Sequence, residues 1–448
     1  MRQLIENALV WDGQSQVETA SILVQNEKIV AVGREEDFPP SDSPTERIDG
    51  EGRLAIPGLV NAHTHLYSSL ARGMALPGFA PTSFTEILQQ LWWRLDKALD
   101  PDSVRASALI GAMEAARCGC TTLVDHHASP SSIPGSLDLV ADAVCKEVGL
   151  RASLSYEVSD RDGLEKRAAG IEENVRFGTE RAPAIHRMAP LFGLHASFTL
   201  SDETLSSVAE RLPEGMGVHI HVAEGPEDET LCEAEHGLRI VRRLDRFGLL
   251  RPSSVLAHCL HLDESEKELL AERGSIVVHN PRSNMNNAVG AFDLAGFLDR
   301  GVLTGLGTDG LGCNLLAELF TAGLLQKHSQ GDVLAGGFPQ LERLLFVNNP
   351  AIAERLLGAG TGRIAPGAQA DIVLLDYVPP TPLVRDTLLG HLLFGVAVHS
   401  LRVSDLWVAG RAILRNGRFV EIDEAQAYAH AREAAHGLWA RSRARGAR

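Results

Sequence analysis

Two textures of hydrophobic and polar positions divide the chain. Over roughly the first 55 residues, short apolar runs alternate with turn residues, as in SILVQNEKIVAVGR and ERIDGEGRLAIPG. This pattern reads as a meander of short antiparallel strands. It returns late in the chain as GAQADIVLLDYV from Gly367 and LRVSDLWVAGRAILRNGRFV from Leu401. Neither block alone has enough apolar surface for a stable sandwich. The two are therefore expected to form one small β-sandwich domain from both chain ends, residues 1–56 and 363–422. Between them, residues 57–362 alternate β-branched apolar runs with helical stretches, the texture of βα units around a parallel sheet. Strands are expected near Ala55–His63, Thr121–His127, Ala152–Val158, Leu191–Ala196, Gly217–Ala223, Val255–Leu260, Ser275–Asn280 and Val302–Thr308. Eight strands over roughly 250 residues is the size of a closed barrel. The expected fold is α/β: a (β/α)8 TIM-like barrel with the small β-sandwich.

The helical pattern adds three details. PDSVRASALIGAMEAARCG carries apolar residues at helical spacing and should end on Gly119. A long insertion after the first barrel strand contains SFTEILQQLWWRLDKALD. There Ser83 and Glu86 form a capping-box pattern, and Phe84, Ile87, Leu88, Leu91, Trp92 and Leu95 share a face. A segment after a barrel strand lies on the catalytic face, so residues 78–99 are a candidate lid; packing of Trp92 and Trp93 against the barrel is the plain alternative. Residues 423–448 read as a terminal amphipathic helix with a basic tail.

Charge and cysteine usage narrow the partners. The formal charge is -16, from 42 basic and 58 acidic residues, which argues against a nucleic-acid backbone as ligand. The six cysteines include no C-x-x-C pair and read as reduced thiols. MRQLIENALVWDG lacks a basic segment followed by an apolar one, and no run reaches the roughly 18 apolar residues of a membrane span. A cytoplasmic protein without a membrane is the expectation.

Candidate chemistry collects at the C-terminal ends of the expected strands, where barrels of this kind build their sites. His63 and His65 lie two apart on the first strand and face one side, a half-site for a divalent transition metal. His219 and His221 repeat the pattern on the fifth; His221 is nearer the mouth, and His219 reads as a packed residue one layer down. Glu224 follows that strand, and a carboxylate beside a metal-bound water can shuttle its proton. Asp309, in GLGTDG, sits at the mouth of the last strand, able to ligate a metal and accept a proton. His195 and His258 close two further strands. Singly, either histidine would read as core packing; their recurrence at successive strand ends points to one site. Two-metal relatives of such barrels use a carboxylated lysine late in the middle strands; the fourth strand here, LFGLHASF, offers His195 and no lysine, which favours a single ion. There is no G-x-S-x-G elbow, Walker loop or early G-x-G-x-x-G.

PGLVNAHTHL, HIHVAE, LAHCLHL, NPRSNMNNAVG and LGTDG, in this order, resemble the mononuclear deaminase and chlorohydrolase branch of the amidohydrolase superfamily. The resemblance covers nearly the whole chain. It implies a metal-dependent hydrolytic deaminase of a small nitrogen heterocycle such as a purine, pyrimidine or pteridine. Residues His63, His65, His221 and Asp309 match metal ligands for one divalent ion, zinc or iron. Glu224 matches the proton shuttle, and His258 the group that polarises the attacked centre. His195, Asn280 and Asn284 fall where the family contacts or shapes the substrate. Two departures bear on substrate: His279-Asn280-Pro281 stands where many relatives have Cys-Pro, and His126 and His127 are not general to the branch. Ring opening of a cyclic amide or dechlorination would use the same residues. A non-catalytic binding barrel is the remote alternative, disfavoured because all four ligand positions and Glu224 are present. Family members often pair, which adds a second copy of the chain, as a homodimer or higher oligomer, to the small heterocycle as expected partner.

Overall fold

The computed structural model describes residues 1–40, 44–399 and 402–446. Leu401, first residue of the second late β run, and Ala447 and Arg448 of the expected terminal helix lie outside the described residues.

The parallel strands form two five-stranded sheets. One contains Leu59–His65, Cys120–His127, Arg151–Tyr156 and the short Met188–Pro190, with Asp309–Gly310 at its edge. The other runs Phe192–Ala196, Val218–Val222, Val255–His258, Ile276–His279 and Leu303–Leu306. They join twice. Val158 bridges Leu194 on one side. On the other, the eighth strand continues from Leu306 to Asp309, with Gly307 N donating to His279 O at 2.9 Å and Thr308 N to His63 O at 3.0 Å. The result is the TIM-like barrel, its eighth strand split at Gly307. That glycine is required by a close approach: a Cβ there would lie 2.5 Å from Asn280 Oδ1 and 2.7 Å from His63 O.

One expected strand needs correction. Ala55–His63 is two elements, Leu54–Pro57 and Leu59–His65, broken at Gly58. Leu54–Pro57 pairs antiparallel with Ile372–Leu375 and parallel with Arg2–Trp11, so it belongs to the sandwich rather than the barrel. The apolar run is continuous because both elements are buried, and hydrophobicity alone marks no border between them. Gly58 makes the turn: a Cβ would come within 2.4 Å of the Thr121 side chain.

The sandwich is a nine-stranded sheet drawn from both chain ends, with Leu54–Pro57 and Ile372–Leu375 adjacent at its centre. Ile5, Ile22, Val24, Ile29, Ile372, Leu374 and Trp407 form its core. Trp407 Nε1 donates to Gln3 Oε1 at 2.9 Å across the two chain ends.

Helix Pro101–Arg117 starts on an Asp100–Ser103 capping box and stops before Gly119, whose φ is +82°. The terminal helix, Glu424–Gly446, packs on it and on Trp93–Ala98. Trp439 Nε1 donates to Leu70 O, and Arg94 Nε to Ser442 O, both at 2.7 Å. Among the described residues, no helix is long and apolar enough to cross a membrane.

Candidate metal centre and active site

Left-handed backbones mark the barrel mouth at Ala223, φ +46°, at His258 and Cys259, +73° and +53°, and at Asp309, +57°. Non-glycine residues adopt this region at a cost of about 1–3 kcal/mol each. Here the conformation turns the chain sharply at the ends of strands five, six and eight.

His63, His65, His221 and Asp309 converge. His65 Nδ1 donates to His126 O at 2.7 Å, and His221 Nδ1 to His195 O at 2.8 Å. As neutral rings, both therefore present lone pairs at Nε2, and these two atoms face each other across 3.1 Å. Asp309 Oδ1 lies 3.0 Å from His65 Nε2 and 3.6 Å from His63 Nε2. The His63 atom is buried without a hydrogen bond. Lone pairs converging this tightly repel unless positive charge lies among them. Burial pushes the His63 imidazole down to about 3, whereas at His65 the Asp309 carboxylate more than reverses burial, to about 9: this corner of the site favours a positive charge, carried by a proton on His65 or by an ion that displaces it. A buried set of three imidazoles and a carboxylate is the donor chemistry of a divalent transition ion, and these residues fit one.

Beside this cluster, Glu224 Oε2 lies 3.5 Å from His258 Nε2, which is 3.8 Å from Asp309 Oδ2. Burial raises the Glu224 carboxyl above its ordinary range, with His258 opposing and Asp309 reinforcing. Asn287 Nδ2 donates to Glu224 Oε1 at 3.1 Å and fixes the carboxylate. Asn284 Oδ1 sits 2.8 Å from His258 Nδ1, aiming Nε2 at the two carboxylates.

A pocket opens in front of His65, His221, Glu224 and Asp309. His195 lines it; burial pushes that imidazole down to about 3, so it is neutral at pH 7. The expected lid forms its other wall through Phe84, Leu88, Trp92, Trp93 and Asp96. Ser83 Oγ accepts from Glu86 N at 3.2 Å, but Glu86 returns to Thr82 N instead of Ser83 N, so half of the capping box forms. Glu157 also lines the cavity. It pairs with Arg161 at 2.7 Å, and Arg161 with Asp96 of the lid at 2.8 Å.

Asn280 and Asn284 are buried and do not line the cavity: Asn284 stands behind His258, and Asn280 Nδ2 makes one long contact, 3.5 Å, to Val278 O. His126 Nε2 donates to Leu194 O and His219 O, while His127 Nε2 meets Ser129 Oγ at 2.9 Å. Neither ring lines the cavity. Sequence reasoning passed over Asn287, Asp96 and Glu157. Asn287 was accessible, since it sits four residues after Ser283 on the same helical face; the two carboxylates carried no local pattern.

The sequence signature of the amidohydrolase family spans residues 54–413. The chain belongs to the amidohydrolase family. This amidohydrolase is 32% identical over 423 residues to a 5-methylthioadenosine/S-adenosylhomocysteine deaminase of Pelotomaculum thermopropionicum, covering 92% of this chain and 93% of that one. It is 35% identical over 418 residues to a 5'-deoxyadenosine deaminase of Methanothermobacter thermautotrophicus, covering 91% and 92%. Among solved structures, an adenosine deaminase from Xanthomonas campestris with bound zinc superposes with a TM-score of 0.81 at 28% identity, covering 97% of this chain and 98% of that one. An atrazine chlorohydrolase from Arthrobacter aurescens shares the fold, with a TM-score of 0.80 at 22% identity, covering 97% and 100%. The protein is a metal-dependent hydrolase of carbon–nitrogen bonds other than peptide bonds, of the deaminase type.

Proposed function

We propose that this amidohydrolase removes the exocyclic amino group of a purine, an adenine nucleoside without a charged 5' substituent. The carrying observation is Glu224, a buried carboxyl on the cavity wall, anchored by Asn287 and 3.5 Å from His258. The purine assignment draws on the adenosine-type substrates named for the two relatives. The preference for a neutral substrate draws on the cavity lining: no lysine or arginine is among its described residues. Arg161 stands behind Glu157 and Asp96 and is occupied by both.

In this reading His63, His65, His221 and Asp309 hold one divalent ion, zinc with iron as alternative. Such an ion supplies Lewis acidity, taking the pKa of a water from 15.7 toward about 7. Asp309 would accept a proton from a water so activated. Glu224 would give its carboxyl proton to a ring nitrogen, then take up the proton of the hydroxyl added at the attacked carbon and pass it to the amino group, which would leave as ammonia; the proton held on Asp309 would restore the Glu224 carboxyl. His258, oriented by Asn284, stabilises the charge that develops between them, and the lid tryptophans cover the ring.

The test is ammonia release by the zinc-loaded protein from 5'-deoxyadenosine, adenosine, adenosine monophosphate, adenine, guanine and a pterin. Neutral adenine nucleosides are expected to react, with the monophosphate at least about tenfold poorer in kcat/KM because its anion meets carboxylates. Ammonia from a pterin and from no purine would end the purine reading. A ring-opened acid without ammonia would replace deamination by amide hydrolysis.

A further inference from the structure

The three candidate metal histidines are not held alike. His65 and His221 give their Nδ1 hydrogens to main-chain carbonyls, which only accept, so each ring's tautomer is fixed unconditionally. His63 Nδ1 instead meets another imidazole, His219 Nε2, at 2.8 Å. Both side chains are fully buried. Two ring nitrogens at this distance share one hydrogen, and either ring can supply it.

We propose that His219 is a positioning residue for the metal: it holds His63 in the tautomer that presents a lone pair at Nε2. If Nε2 of His63 ligates, its Nδ1 must carry the hydrogen and His219 Nε2 must accept it. The hydrogen of His219 then lies on Nδ1, which faces Ser155 Oγ at 3.4 Å; that hydroxyl donates to Asp125 O at 3.3 Å. The chain of bonds runs from His63 through His219 and Ser155 to the main chain of strand two, so the acceptor role is passed on and finally fixed by a carbonyl. Partners of this kind orient metal ligands, and losing one typically weakens metal binding about 10- to 100-fold. Simple core packing would ask of His219 only its volume. The two roles therefore separate on hydrogen-bond capacity at constant size.

The inference rests on His63 being a ligand, and the experiment keeps the two apart. Zinc affinity is measured by chelator competition for the intact protein and for His63→Ala, His219→Leu and His219→Gln, with His219→Met replacing the leucine variant should that fail to fold. Glutamine can accept from His63 Nδ1 and donate toward Ser155. Expected are a 10- to 100-fold weaker zinc constant for leucine or methionine and a constant within about threefold of the parent for glutamine. Leucine binding zinc as tightly as the parent would overturn the proposal, as would equal losses for leucine and glutamine. Unchanged affinity in His63→Ala would instead overturn the ligand assignment beneath it.

Discussion

Glu224 and Glu318 show one physical effect put to two uses. Burial raises both carboxyls, but Glu224 faces the cavity and Glu318 faces the helix that follows strand seven, accepting from Arg282 N at 3.1 Å. Glu224→Gln keeps the hydrogen-bonding shape and removes the transferable proton. Turnover should fall about 100- to 10,000-fold with zinc content unchanged, measured as ammonia release beside metal analysis; near-parental turnover would sink the shuttle role. For Glu318 the raised value is about 8. The folded state then binds more protons than the unfolded chain between the ordinary carboxylate range and pH 8. Stability from this group is present at low pH and declines as pH rises through that window. Glu318→Gln should therefore gain thermal midpoint relative to the parent at pH 8.5 compared with pH 5.5. A difference independent of pH would contradict the assignment. At this scale the sequence was informative where chemistry repeats on a strand, as with His63 and His65 or His219 and His221. It was silent on what stands behind each ring: Asn284 looked like a substrate contact and is a support for His258, because the pattern locates a residue near the mouth without showing which neighbour covers it.

At the scale of elements, the segment that walls the cavity, the candidate lid, is tied to the barrel by charge as well as by apolar packing. Asp96 and Lys97 reach Arg161 and Asp162 in the loop after strand three, at 2.8 and 2.9 Å. Trp92 lies against the eighth strand, where a Cβ on Gly310 would come within 2.7 Å of its ring. Removing the cation leaves two carboxylates buried, a loss of about 3–5 kcal/mol when one partner of a buried pair is deleted. Arg161→Met should lower the thermal midpoint and raise KM, with the zinc constant unaffected. Steady-state kinetics and thermal unfolding check this, and parental values in both would show that the pair does not hold the lid. The segment's helicity was legible from its apolar face and Ser83. Its latch was not, since Asp96 and Arg161 are 65 positions apart and meet only through the fold.

For the whole molecule, the barrel and the two-ended sheet were both readable, because βα alternation and strand meanders differ in period. The border between them was blurred at Gly58, where two buried strands run together. Metal and fold are linked at this scale too. An ion bound at about 100 times its dissociation constant stabilises by about 2.7 kcal/mol. Chelation should thus lower the thermal midpoint, and zinc should restore it together with activity. A midpoint indifferent to chelator would argue that the four converging side chains hold no ion.

The sheet that joins both chain ends also sets a timetable for biosynthesis. Leu54, Ala55 and Ile56 leave the ribosome early, yet their antiparallel partner is Ile372–Leu375, and Gln3 meets Trp407 across 404 positions. Until Ile372–Leu375 has been made, the nascent chain presents an apolar strand with one bare edge. Such edges template pairing with other chains. A ribosome pausing between the barrel and that partner strand would prolong the exposure, making this the interval in which a chaperone matters most to this enzyme.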